Sequence, residues 1–258
     1  MTTLHPAPSV MTTPEARPFT RQGADRRMAM LMLHGFTSTP QSVRHVALAV
    51  HAGSGITVDA PLLAGHGTTP EDLATTGHRD WLASAETAFE RLSADHDHIV
   101  VGGLSLGGTI ALNIAARHAG RVAGVAVINA STGLYPPEAV APLFDREGSA
   151  MLPGIGSEIA DFTQREICYD RIPAATLRER IVLTGATAAL LPRITCPILI
   201  MQSRVDGVVA PENAHRIAQT VGSDDIHTIW LAASRHVATL DHDRDRITSH
   251  LIMFLKTV

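Results

Sequence analysis

Residues 103–107 read Gly-Leu-Ser-Leu-Gly, a serine with a glycine two positions away on either side. They follow the apolar run HIVV and lead into LGGTIALNIAARHA, which is apolar nearly all round. Glycine weakens strand and helix interiors alike, so the cluster needs another reason. A sharp strand-to-helix turn supplies one. G-x-S-x-G in that setting lifts the serine hydroxyl clear of the backbone and turns the next N–H, that of Leu106, towards the same space. The helix that follows adds the positive end of its dipole. Ser105 is thus a candidate nucleophile. The same glycines also suit a packing turn or a phosphate loop. Phosphate loops, however, read G-x-x-x-x-G-K-[ST], and no lysine follows here.

A serine hydroxyl needs a base, and the base needs an orienting acid. When the serine sits on such a turn, the acid follows a late strand and the histidine follows the next one. The run PILIM leads into QSRVDGVVAP and offers Asp206; the run HTIWL leads into AASRHVATLDHD and offers His236. The chain has 14 histidines, so coincidence has to be weighed. His45, His51, His96, His98 and His118 fall on predicted helices or turns without a serine partner. Asp241 and His242 compete by position, but at or inside the last predicted helix they point less directly at Ser105. Asp224 and Asp225 precede a strand, at the wrong end of a sheet. The expected triad is Ser105, Asp206 and His236.

An oxyanion formed at Ser105 needs a second N–H besides that of Leu106, from the loop after the first strong strand. Leu33-His34-Gly35-Phe36-Thr37 provides it: Gly35 lets the chain turn, and the Phe36 N–H is the candidate donor. His34 reads as structural, bonded to nearby backbone. His66, in Ala64-Gly65-His66-Gly67, reads as part of a loop at the site mouth rather than a lone metal ligand.

These residues need a frame. Short apolar runs at 28–36, 55–62, 98–105, 124–130, 197–203 and 227–232 alternate with helical patterns, as in a parallel sheet buried on both faces. Strand–helix alternation with right-handed crossovers predicts an α/β, mostly parallel, doubly wound sheet. Residues 131–192 break the rhythm with six prolines, several glycines and no clean strand. Sixty structureless residues are unusual in a compact domain. A small helical cap, inserted after the strand ending near Asn129 and lying over the strand ends, fits better. Residues 1–258 are expected to form one domain, with 131–192 as its cap and 1–16 as a loose arm broken by prolines.

Composition narrows the function further. The 258 residues are 45% hydrophobic and 18% charged, with net charge −4 and no block of like charges. A nucleic-acid footprint or polybasic anchor is not expected. Cys168 and Cys196, the two cysteines, give neither a disulfide framework nor metal spacing and suit a reducing compartment. The N-terminus lacks a basic start and an apolar core, and no apolar run reaches the length of a membrane span. A cytoplasmic protein without an integral membrane segment is expected.

Taken together, LHGFTSTPQSVR, APLLAGHGTTPEDL, DWLASAE, GLSLGGTIAL, INA, SRVDGVVAPENA and SRHVATLDHD make the chain, from about residue 19 onwards, resemble the α/β-hydrolase superfamily. Within it, the chain is similar to bacterial monoacylglycerol lipases and related carboxylesterases. The resemblance implies a serine hydrolase of carboxylic esters that needs no metal or organic cofactor. Its partner would be a small lipid ester, most specifically a monoacylglycerol, with the broad carboxylesterase as the alternative. It also implies a cap with an acyl tunnel, and a carboxylate facing the glycerol end. The matching stretch, Tyr169-Asp170-Arg171-Ile172-Pro173, points to Asp170, one methylene shorter than the family's glutamate. A surface ion pair with Arg171 or Arg165 is the competing reading. Ile159 either lines the same pocket or packs inside the cap. Apolar cap residues such as Leu143, Phe144, Met151 and Phe162 are compatible with transient contact with a lipid surface or with internal packing. Oligomeric state is not fixed by any of these features.

Overall fold

The computed structural model describes residues 13–133, 140–141, 144 and 150–258. Seven strands form the main sheet: β1 (Phe19–Arg21), β2 (Asp25–Leu33), β3 (Ile56–Ala60), β4 (His98–Leu104), β5 (Val122–Ile128), β8 (Ile198–Ser203) and β9 (Ile226–Leu231), in the order β1-β3-β2-β4-β5-β8-β9. All neighbours are parallel except β1, which pairs antiparallel with β3. β1 is the main-sheet strand that the apolar runs do not show: three residues, FTR, of which two are exposed at the sheet edge.

The inner strands are apolar on both faces because helices cover both. Leu31, Leu33, Val101, Val125 and Val127 pack with the helices His78–Asp95 and Leu106–Arg117. The alternating residues Met30, Met32, Val100, Leu104, Ala126 and Ile128 pack with Gln41–Ser54 and Arg244–Phe254 on the other side. The period-two alternation of strands thus serves two cores at once.

The region expected as a strandless cap differs in detail. Of its residues, 134–139, 142–143 and 145–149 lie outside the described set, and Leu143 with them. The remainder contains an antiparallel pair, β6 (Met151–Pro153) with β7 (Arg171–Pro173), followed by the helix Ala174–Leu190. Strands of three residues, each ending in proline, are too short to show a period. The helix is docked rather than detached: Asn113 Nδ2 donates to Thr187 Oγ1 at 3.0 Å. Phe162 and Phe144 are exposed, while Met151 is only partly so.

The arm also differs at its end. Pro14–Ala16 forms a turn of 3-10 helix with Ala16 fully buried. The Arg44 guanidinium donates to the carbonyls of Pro14, Glu15 and Arg17, which pins this stretch to the first helix.

Candidate active site

Ser105 stands between β4 and the helix Leu106–Arg117 with φ 54° and ψ −116°. That left-handed conformation is costly for a residue with a side chain and persists only where the surroundings enforce it. The flanking glycines make it sterically feasible. A Cβ on Gly103 would lie 2.6 Å from the Gly107 carbonyl oxygen, and one on Gly107 would lie 2.6 Å from the His34 carbonyl oxygen. The turn is anchored by Ser105 N–H donating to Ile128 O at 2.9 Å and Thr109 N–H donating to Ser105 O at 3.0 Å.

The structure brings the three triad candidates together. Ser105 Oγ lies 3.0 Å from His236 Nε2. His236 Nδ1 lies 3.0 and 2.9 Å from the two carboxylate oxygens of Asp206. The Asp206 side chain is wholly buried, and its Oδ1 also accepts from the N–H groups of Val208 and Val209 at 2.9 and 2.8 Å. These bonds, with Gln202 Nε2 donating to Oδ2 at 3.3 Å, fix the carboxylate against the imidazole.

The loops carrying these groups are tied to one another by Asn129, which the sequence marked only as the end of a strand and as part of INA. Asn129 sits at the end of β5 with φ 49°. Its Nδ2 donates to His236 O at 2.7 Å and to Ser203 Oγ at 3.0 Å, while its Oδ1 accepts from Ser203 N–H at 2.7 Å. One buried amide therefore joins the end of β8, which leads to Asp206, to the loop of His236. An isolated asparagine carries no pattern, so only the three-dimensional neighbourhood exposes this role.

Phe36 and Leu106, the two candidate oxyanion donors, are both buried. The Phe36 loop approaches closely: a Cβ on Gly35 would sit 3.7 Å from Ser105 Cβ. Thr37, next along, is also left-handed at φ 62°, with its hydroxyl donating to Phe36 O at 2.6 Å. His34 holds this loop to the one after β3. Its Nδ1 bonds Gly35 O at 2.9 Å, and its Nε2 accepts from Leu63 N–H at 3.1 Å. That pattern places the ring proton on Nδ1. Behind the loop, Phe36 packs 5.6 Å from Trp81 and 6.1 Å from His66, centroid to centroid. Burial, then the neighbouring His66, pushes His34 down to about 3, against its bond to Gly35; burial pushes His66 down to about 4. Both rings are neutral structural parts.

A narrow pocket, with a cavity volume of about 20 Å³, opens beside Ser105, lined among others by Phe36, Ile155, Glu166, Arg180 and His236. A roomier one of about 220 Å³, against β8, β9 and the last helix, shares none of these residues; size does not mark the site, chemistry does. Glu166 was not singled out from the sequence. Burial raises its carboxyl above the usual range, opposed by hydrogen bonds from Ser38 and Cys168 and by His236. Arg180 is buried, with its guanidinium 5.9 Å over the Phe36 ring.

Asp170 and Ile159 are placed elsewhere. The Asp170 side chain is 74% exposed and 3.8 Å from Arg171, which is the surface-pair arrangement. Asp170 lies next to β7, where its carbonyl accepts from Gly154 N–H at 2.7 Å and its side chain turns outwards. Ile159 is partly buried and packs against the core on the face shared by the helices Gln41–Ser54 and Arg244–Phe254, while Ile155 lines the pocket. A carboxylate that does line the serine's pocket is Glu166, four residues before Asp170. Its signal was weak because an irregular loop offers no period to say which way a side chain points. Among the described residues, no group of three or more His, Cys, Asp or Glu is arranged to hold a metal ion.

Residues 24–243 match the Hydrolase_4 family, described as serine aminopeptidase, S33. The chain belongs to this family. It is 39% identical over 227 residues to a thermostable monoacylglycerol lipase of Bacillus sp. (strain H-257), covering 88% of this chain and 90% of that one. It is 29% identical over 252 residues to a carboxylesterase of Bacillus subtilis (strain 168), covering 93% and 96%. A solved structure described under LipS and LipT, two metagenome-derived lipolytic enzymes, superposes with a TM-score of 0.90 at 38% identity, covering 95% of this chain and 99% of that one. The fold is the α/β-hydrolase fold, and the protein is an ester-hydrolysing serine hydrolase of the lipase/esterase kind. Among the described residues, no helix is long and apolar enough to cross a membrane.

Proposed function

We propose that the enzyme cleaves monoacylglycerols to fatty acid and glycerol through an acyl-enzyme on Ser105. The observation that carries the substrate reading is Glu166, a half-buried carboxyl with a raised pKa in the same pocket as the serine. A raised carboxyl keeps a proton more readily, so it can donate to one hydroxyl and accept from another. A small alcohol rich in hydroxyls answers that chemistry; a methyl group offers it no further partner. The similarity to a monoacylglycerol lipase over most of both chains supports the same substrate class.

In this mechanism His236 takes the Ser105 proton as Oγ attacks the ester carbonyl. The developing oxyanion is received by the N–H groups of Phe36 and Leu106, with the helix N-terminus behind them. His236 then gives its proton to the departing glycerol oxygen. Water enters, is deprotonated by the same imidazole and releases the fatty acid. Asp206 holds the ring in the right tautomer and stabilises it when charged.

The test is kcat/KM on a medium-chain monoacylglycerol against the methyl ester of the same acid, with Ser105→Ala as the blank. A preference of about tenfold or more, equal to one hydrogen bond of about 1.4 kcal/mol, supports the reading. Equal rates favour the second reading, a broad carboxylesterase for short and medium esters, to which the similarity to the Bacillus subtilis carboxylesterase lends weight.

A further inference from the structure

The loops that carry the acid, the histidine and the Phe36 N–H come from different strands, and one segment touches all three. It is the cap return, residues 155–169, which also supplies Ile155 and Glu166 to the pocket wall. At Glu158 the contacts are densest. The Glu158 carboxylate accepts from the N–H of Gly207, the residue after Asp206, with both oxygens in reach at 3.1 and 2.9 Å. The Glu158 carbonyl accepts from the N–H of Val237, the residue after His236, at 3.0 Å. Arg235, just before His236, brings its guanidinium within 3.5 Å of the same carboxylate.

A second rivet lies two and three residues on, where the N–H groups of Ala160 and Asp161 meet Asp241. Asp241 is fully buried, and its two oxygens accept from Ala160, Asp161, Arg235 and His242 N–H at 2.8–2.9 Å. Burial lifts this carboxyl, and the four backbone bonds outweigh that lift and hold it below the usual range. At the far end of the segment, Tyr169 N–H donates to Thr37 O at 3.0 Å, beside Phe36. Gln41 adds two bonds across the same seam, one to Arg165 O and one from Ile167 N–H.

We propose that Glu158 is a positioning residue for the reaction, and that residues 155–169 lock the acid, histidine and oxyanion loops to the alcohol-side wall of the pocket. This rests on the reading of Ser105, Asp206 and His236 as the triad. The segment then acts as a fixed fourth side of the catalytic frame, and its side chains set turnover as well as substrate choice. Gly207 leaves room for the same contact: a Cβ there would meet the Glu158 carboxylate and displace it.

The experiment compares wild type, Glu158→Ala, Glu158→Gln and Gly207→Ala on two esters: a monoacylglycerol, and p-nitrophenyl acetate, whose leaving group makes no use of a glycerol pocket. Circular dichroism and melting curves establish that each variant is folded at the assay temperature. Displacing catalytic groups by about 1 Å costs about a hundredfold, so Glu158→Ala and Gly207→Ala are expected to lose between about tenfold and a hundredfold in kcat on both esters. Glu158→Gln keeps an oxygen acceptor for Gly207 N–H and is expected to recover most of that loss. Unchanged kcat on both esters overturns the proposal. So does a loss confined to KM for the glycerol ester, which marks a wall without a positioning role, or a loss that glutamine does not restore. Fluorophosphonate labelling separates the two layers. No adduct on Ser105 in the wild type refutes the triad itself, whereas labelling there with an indifferent Glu158 refutes the positioning role alone.

Discussion

Acidification from about pH 7 to about pH 4.5 adds protons to the unfolded chain at His34 and His66 that the folded chain refuses. Both rings are fully shielded, and their folded values lie at about 3 and about 4 against 6.5 for a free imidazole. The sign follows from which state binds more protons. Between 6.5 and the folded values the unfolded state does, so stability is intact above about 6.5 and declines as pH falls towards 4 and then 3. Each ring contributes a slope of about 1.4 kcal/mol per pH unit, so at about pH 4.5 the two together cost on the order of 5 kcal/mol. That is comparable with the whole stability of many domains. His66 is the better one to replace, because His34 also accepts Leu63 N–H and holds the Phe36 loop. Nε2 of His66 has no hydrogen-bond partner, and its Nδ1 bonds Ala64 O. In urea unfolding at steps from about pH 7 to about pH 4.5, His66→Gln is expected to show a shallower decline than wild type by about 1.4 kcal/mol per unit. Parallel curves would mean that His66 is not held neutral by burial, and the argument for the loop's packing would fall with it.

Gly107→Ala should lose both activity and melting temperature, since the added methyl meets the carbonyls of Leu33 and His34 and the turn cannot close without moving β2; a variant with wild-type melting and turnover would contradict the turn geometry. Glu166→Leu should erase the preference for the glycerol ester over the methyl ester by about tenfold while leaving methyl ester turnover close to wild type, and Glu166→Gln should keep most of the preference. Steady-state kcat/KM on the paired esters reads both, and a Leu variant with undiminished preference would move alcohol recognition away from Glu166.

The strands of the inner sheet were legible because both faces are covered, which turns each into an apolar run bounded by small residues. The positions of Ser105, Asp206 and His236 were legible for a related reason. Each sits in a loop at the end of such a strand, and strand order alone decides which loops meet. Asn129, Glu158 and Asp241 were not. Asp241 entered only as a competitor for the acid, and its four backbone bonds depend on where residues 160–161 return over the site. Glu166 and Ile155 were missed for the same reason: the cap return has no period, so the family resemblance implies a carboxylate near there without showing which one lines the pocket. β1 escaped because an edge strand of three residues, two of them exposed, carries almost no apolar signal.

The central claim is that Ser105 carries the acyl group. The measurement is intact mass and peptide mapping after treatment with a fluorophosphonate, which loses fluoride and leaves a phosphonyl ester on an activated serine, alongside fatty-acid release from a monoacylglycerol by Ser105→Ala. The account predicts a single adduct on the peptide containing Ser105, none on Ser105→Ala, and a fall in kcat for that variant of about 10⁶, as in comparable triads. An adduct on another residue, or near wild-type fatty-acid release by Ser105→Ala, would contradict it.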